Sequence, residues 1–181
     1  MTAGTGPDAR DVMEIERLAA TYTLAVDSGD YSRLDSIWSN NAVLRVPSGA
    51  EVAGRTAILD RIKGQDVRRI VRENAVAAGR EPTAVSRHHL TTRHLAPSGV
   101  GRIDAFLYYL VITDAGLDHA GTYEDTYVRT DAGWAIAQRH IRLEFVAPNS
   151  YYDFLRQWVQ PPFTPPSSGS TWIEPRPSGS T

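Results

Sequence analysis

The sequence predicts a single α+β domain in which helices pack against a strongly curved antiparallel sheet. Three observations lead there. Apolar residues recur at helical spacing ahead of Pro82. Beyond it, segments 84–95, 101–114, 117–130 and 133–146 are rich in Val, Ile, Tyr, Phe and Thr, and short turns separate them (Pro97-Ser98-Gly99, Asp114-Ala115-Gly116, Asp131-Ala132-Gly133). Helices first and strands later is the α+β order. The 181 residues, 41% hydrophobic and 22% charged, suffice for one domain with a real core.

Residues 1–9 are small and polar and are expected to be a flexible N-terminus. Residues 10–160 form the folded domain. Residues 161–181 are a Pro/Ser/Gly-rich tail, expected to be disordered or to dock through Trp172. Within the domain, Ile15, Leu18, Ala19, Tyr22 and Val26 make one helical stripe that Ser28-Gly29-Asp30 ends. Asp30 is a good N-cap for a short second helix carrying Leu34, Ile37 and Trp38. Ala42 to Val46 reads as a strand and Pro47-Ser48-Gly49 as a turn. Residues 55–79 read as helical, with Gly64 a candidate break and Gly79 a stop. Tyr151 to Val159 reads as a last short helix.

Several function classes are disfavoured. The net charge is -2 and the pI about 6.2. The nearest thing to a basic patch, Arg68, Arg69 and Arg72, is interrupted by Asp66 and Glu73 and reads as a solvated helix face, so no nucleic-acid partner is expected. With no cysteine there is no disulfide, thiolate metal site or cysteine nucleophile. The N-terminus lacks an apolar signal region and no apolar run is of membrane-spanning length, so a cytoplasmic location and no membrane partner are expected. Glycine-rich phosphate loops and a G-x-S-x-G elbow are missing, which argues against nucleotide chemistry and serine hydrolysis. His88 and His94 share strand parity but would lie about 20 Å apart, so no metal site is expected.

Asp27 is the most informative residue. In the last turn of the first helix it faces the negative end of the helix dipole beside an apolar stripe, and both disfavour its charged form. That suits a general acid or base. An exposed Asp bonding the following turn explains it equally well. Arg87-His88-His89 opens the first long strand, and strand alternation sends at most one of the two histidines to any one pocket. A half-buried structural histidine is the alternative there. Tyr22, Tyr108, Tyr109, Tyr123 and Tyr127 are candidate phenol donors or core tyrosines.

Tyr22-Thr-Leu-Ala-Val-Asp27-Ser-Gly-Asp30 resembles the first-helix motif of the SnoaL-like proteins of the nuclear-transport-factor-two-like superfamily, relatives of scytalone dehydratase, bile-acid 7α-dehydratase and polyketide cyclases. Arg87-His88-His89-Leu90-Thr91-Thr92 resembles their R-H-x-x-x-N strand, with Thr92 in place of Asn. Gly121-Thr-Tyr123-Glu-Asp125-Thr-Tyr127-Val-Arg129, followed by Gly133-Trp134-Ala-Ile136, resembles their G-x-Y-x-D-x-Y hairpin. The resemblance covers roughly residues 10 to 148. It implies a cone-shaped curved antiparallel sheet wrapped around the N-terminal helices and enclosing an apolar pocket. It also implies a homodimer or homotrimer.

The resemblance further implies a cofactor-independent dehydratase, double-bond isomerase or cyclase acting on a small hydrophobic polyketide-, steroid- or terpenoid-like substrate. Asp27, His88 and Tyr22 would be catalytic. Asp27 would orient His88, His88 would remove an acidic proton, and Tyr22 would donate to the developing oxyanion. His89, Tyr108, His119, Tyr123 and Trp38 would contact substrate, His119 standing where scytalone dehydratase uses a second histidine. Two other readings stay open. One is a non-catalytic ligand-binding or protein-interaction module, in which Asp27 and His88 would not be within hydrogen-bond reach. The other is an epoxide hydrolase using Asp104 with Arg102 or Arg139.

Overall fold

The computed structural model describes residues 7–65, 67–79, 81 and 85–163; Trp172 and the tail from 164 lie outside them. Helix α1 spans Ala9–Ser28. The Asp8 carboxylate caps it by accepting from the Asp11 N–H at 2.8 Å. Gly29 ends it at φ 74°, a left-handed conformation that glycine adopts without Cβ strain. The apolar stripe is buried, together with Asp27.

The expected second helix is a single 3-10 turn, Tyr31–Arg33, which Asp30 does cap. Trp38 instead opens strand β1, Trp38–Arg45. The Ile37 carbonyl accepts from the Ile136 N–H at 2.8 Å, so sheet pairing captures this stretch before a helix can extend. A three-residue strand β2, Glu51–Ala53, folds back on β1. The next helical region divides at Gly64 into α2, Arg55–Gly64, and α3, Val67–Ala77. The four long strands follow as β3, Ser86–Gly99; β4, Arg102–Thr113; β5, Gly116–Thr130; and β6, Gly133–Val146. The last segment, Asp153–Trp158, is 3-10.

The six strands form one open sheet in the order β2-β1-β6-β5-β4-β3. Every pairing is antiparallel except β1 with β6, which is parallel because the long excursion through α2, α3 and the meander returns the chain beside β1 in the same direction. Register shifts fall at Leu90/Arg93, at Asp118, at Glu144 and at Ala137. Such bulges add local twist and bend the long strands around α1. They also reset the alternation, so that Ile136, then Arg139, Ile141 and Leu143, then Val146 all stay buried or half-buried on β6. Among the described residues no helix is long and apolar enough to cross a membrane.

α1 is tied to the sheet at both ends. Near its start, Asp11 accepts from the Trp134 indole at 2.8 Å and pairs with Arg129. Arg93 and Glu16 form a further ion pair. Near its end, Asp27 reaches β3. Beneath the helix lies a buried salt bridge: Arg139 donates to Asp125 from Nε at 2.8 Å and Nη2 at 2.6 Å, and both side chains are wholly buried. The Tyr127 hydroxyl donates to the same carboxylate at 2.8 Å.

Gly121 shows why the hairpin motif begins with glycine. The Tyr109 hydroxyl on β4 donates to the Arg142 carbonyl on β6 at 3.1 Å, which brings it across β5 at Gly121. A Cβ on Gly121 would sit 2.0 Å from that carbonyl oxygen and 2.9 Å from the tyrosine hydroxyl. Gly121→Ala is therefore expected to destabilise the protein by at least about 1–3 kcal/mol, read as a lower chemical-denaturation midpoint. An unchanged midpoint would contradict this packing.

Candidate active site

A pocket of about 200 Å³ opens between α1, the end of α2, the inner face of the sheet and the C-terminal 3-10 segment. Its floor is Tyr22 and Val26 from α1, His88 from β3, Tyr109 from β4, His119 and Tyr123 from β5, and Ile141 and Leu143 from β6. Tyr152, Phe154, Leu155 and Trp158 line it from the C-terminal segment, and Ser48, Arg61 and Gln65 line it as well. The lining is mostly apolar, with a few convergent polar groups.

Two Asp–His pairs meet this cavity. His88 Nδ1 lies 2.7 Å from Asp27 Oδ1. The His88 backbone N–H donates to the same carboxylate, at 3.0 Å to Oδ2 and 3.2 Å to Oδ1. One residue of β3 thus meets Asp27 through both backbone and ring. An ionised Asp27 places the proton on Nδ1 and leaves Nε2 as the acceptor. His119 Nδ1 lies 2.8 Å from Asp118 Oδ1. Asp118 also accepts from the Ser150 hydroxyl at 2.6 Å and the Tyr151 N–H at 2.7 Å. Burial pushes the His119 imidazole below its usual pKa, against the pull of Asp118. Burial alone would raise the Asp118 carboxyl, but its hydrogen bonds to His119, Ser150 and Tyr151 outweigh that and hold it below the usual range.

The tyrosines are proton-bearing donors at neutral pH. Burial pushes Tyr22, Tyr109 and Tyr123 above their usual pKa. For Tyr22, Arg139 opposes the shift through its charge and a hydrogen bond. The Arg139 guanidinium lies 4.2 Å from the Tyr22 ring centre and 4.4 Å from that of Tyr123. Burial disfavours the Arg139 charge, but Asp125 outweighs it and keeps the group protonated.

Of the residues expected from the sequence, Asp27, His88, Tyr22, His119 and Tyr123 are brought together; Asp27 stands behind His88, and the other four line the cavity. His89, Tyr108 and Trp38 do not line it. His89 follows His88 on the strand and is exposed on the opposite face. Tyr108 points outward with Phe106, the rings edge to face at 5.2 Å. Trp38 is sealed in the core at 2% exposure, edge-on to Tyr22 behind the cavity wall. The Asp-Arg-Asp set of the epoxide-hydrolase reading is not assembled. Asp104 does pair with Arg102 at 3.6 Å and accepts from Thr126 at 2.9 Å, but neither Asp104 nor Arg102 lines the cavity, and Arg139 binds Asp125 instead.

Asp118 escaped the sequence reading for a physical reason. Neighbours on a regular strand point to opposite faces, yet β4 pairing passes from His119 to Leu117, leaving Asp118 as a bulged residue beside the histidine. Adjacent Asp-His in a strand was the available signal, but only the bulge makes it a pair. Among the described residues, no group of three or more histidines or carboxylates is placed to hold a metal ion.

A curved-sheet cone with a histidine-lined pocket defines the class of protein. Residues 7–140 match the SnoaL-like domain, and the chain belongs to that family. No curated protein sequence matches the chain. Among solved structures, an NTF2-like protein with a cystatin-like fold from Novosphingobium aromaticivorans is 26% identical, with a TM-score of 0.60, covering 83% of this chain and 90% of that one. A hexachlorocyclohexane dehydrochlorinase, LinA-type3, from Novosphingobium barchaimii LL02 is 19% identical at TM-score 0.60, covering 78% and 94%. A candidate scytalone dehydratase from Novosphingobium aromaticivorans is 17% identical at TM-score 0.61, covering 76% and 86%.

The His119 pair makes stability pH-dependent. Unfolded, the imidazole binds a proton below its ordinary pKa of 6.5, while the folded state resists until lower pH. The unfolded state then binds more protons, so stability falls as pH drops through this window. Thermal melts at about pH 7.5 and about pH 5.5 should show a smaller acid-induced drop in His119→Gln than in the wild type. An equal drop in both would contradict the buried neutral histidine.

Proposed function

We propose that this protein is a cofactor-independent lyase or isomerase of the dehydratase type. It would act on a small hydrophobic polyketide-, steroid- or terpenoid-like substrate. The observation that carries the reading is the 2.7 Å contact between Asp27 and His88 at an apolar pocket. It also favours catalysis over a binding module, for which Asp27 and His88 are expected to stand out of hydrogen-bond reach.

The chemistry follows from the residues. Asp27 holds Nδ1–H, so Nε2 of His88 is the free basic edge. It takes the acidic proton α to a carbonyl as the carbonyl oxygen gains charge. Tyr22, polarised by Arg139, donates to that oxygen. The electron pair left on carbon expels a β-hydroxyl, which leaves as water with the proton that His88 carries. Where no leaving group is present, the same His88 returns the proton at another carbon and the double bond moves. His119 offers a second acceptor edge to position a substrate hydroxyl. The names of two structural neighbours, a dehydrochlorinase and a candidate scytalone dehydratase, describe eliminations and fit this reading, although a shared fold alone does not carry function.

The test uses a panel of β-hydroxy ketones from those three substrate classes, followed by the rise of enone absorbance. Asp27→Asn and His88→Ala should each lower kcat by about 10²–10⁴-fold, the usual weight of a general base, with circular dichroism unchanged. Wild-type turnover in either variant would overturn the assignment.

A further inference from the structure

The pocket lining carries a cation without a counter-charge among the described residues. Arg61 lies in the last turn of α2, is exposed, and lines the cavity. Arginines nearby in sequence are paired: Arg45 with Glu51, Arg55 with Asp35, Arg69 with Glu73. Among the described residues Arg61 has no such partner, and no carboxylate lines the pocket, since Asp27 and Asp118 stand behind their histidines. A basic residue in a last turn also suits the helix dipole. Lys63 meets that need equally and does not line the cavity, so the dipole does not explain why Arg61 does.

Most of the remaining lining is apolar or aromatic, and Gln65 and Ser48 line the same cavity as neutral hydrogen-bonding groups. A guanidinium presents a flat pair of donors that matches one carboxylate. A dianionic phosphate would call for more than one cation.

We propose that Arg61 binds the carboxylate of an amphipathic substrate whose apolar body fills the pocket, making small hydrophobic carboxylic acids the substrate class. This rests on the pocket being the substrate site. Bound so, the molecule is oriented with its acid group at the mouth and its reacting carbons at His88.

The experiment compares 2-naphthoate with 2-naphthylmethanol, matched in shape and differing in charge, by calorimetry at about pH 8, above the ordinary imidazole range. The ratio of carboxylate to alcohol affinity should fall about tenfold in Arg61→Gln, the weight of one charge-assisted hydrogen bond, and fall less in Arg61→Lys. An unchanged ratio in Arg61→Gln overturns the carboxylate assignment and leaves the pocket reading intact. Failure of both ligands to bind the wild type overturns the pocket reading and this one together.

Discussion

The carboxylate of Asp27 is the constraint on which the rest of the site depends. It sits at the end of α1, where the helix dipole opposes negative charge, and it is buried. A buried carboxylate is costly unless it is hydrogen-bonded, and here one residue of another element supplies both the backbone and the ring contacts. The same contacts therefore pin helix to sheet, fix the rotation of the His88 ring and leave its far edge toward the cavity. Stability and the proposed chemistry draw on one set of contacts, so a change that weakens the dyad also loosens the wall of the pocket.

A second buried charge supports the first from below. Arg139 and Asp125 neutralise each other on the inner face of the sheet, and the guanidinium lies against Tyr22 and Tyr123. Replacing such a pair with apolar residues is often neutral for stability, whereas removing one partner strands a charge. Its value to this site lies elsewhere. The guanidinium charge opposes in part the rise in phenol pKa that burial causes at Tyr22 and Tyr123, while Asp125 keeps that charge from standing unpaired. The Asp118–His119 pair, by contrast, anchors to the C-terminal segment through Ser150 and Tyr151, which links one wall of the pocket to its floor.

Much of this was legible in the sequence. The α1 stripe, the four long strands and their turns follow from local periodicity and turn chemistry. The first-helix Asp27 and the strand His88 are marked by residue type and by family resemblance. What was not legible depends on pairing between distant strands. Trp38 follows β1 into the sheet because Ile136 binds the backbone just before it, not because of its own neighbours. His89 and Tyr108 are separated from the site by alternation alone, and one residue of register decides which of two adjacent side chains faces inward. Asp118 is the reverse case, brought beside His119 by a bulge that no local pattern announces. Arg139 and Asp125 are recognisable as a pair only once β5 and β6 are aligned.

The central claim is that Asp27 fixes His88 in the tautomer that leaves Nε2 as a base, and nitrogen NMR of the histidine side chains reads this directly. The claim predicts that neutral His88 shows a protonated Nδ1 and a proton-free Nε2, and that Asp27→Asn disturbs this preference. A neutral His88 protonated at Nε2, or divided evenly between the two tautomers in the wild type, would contradict it.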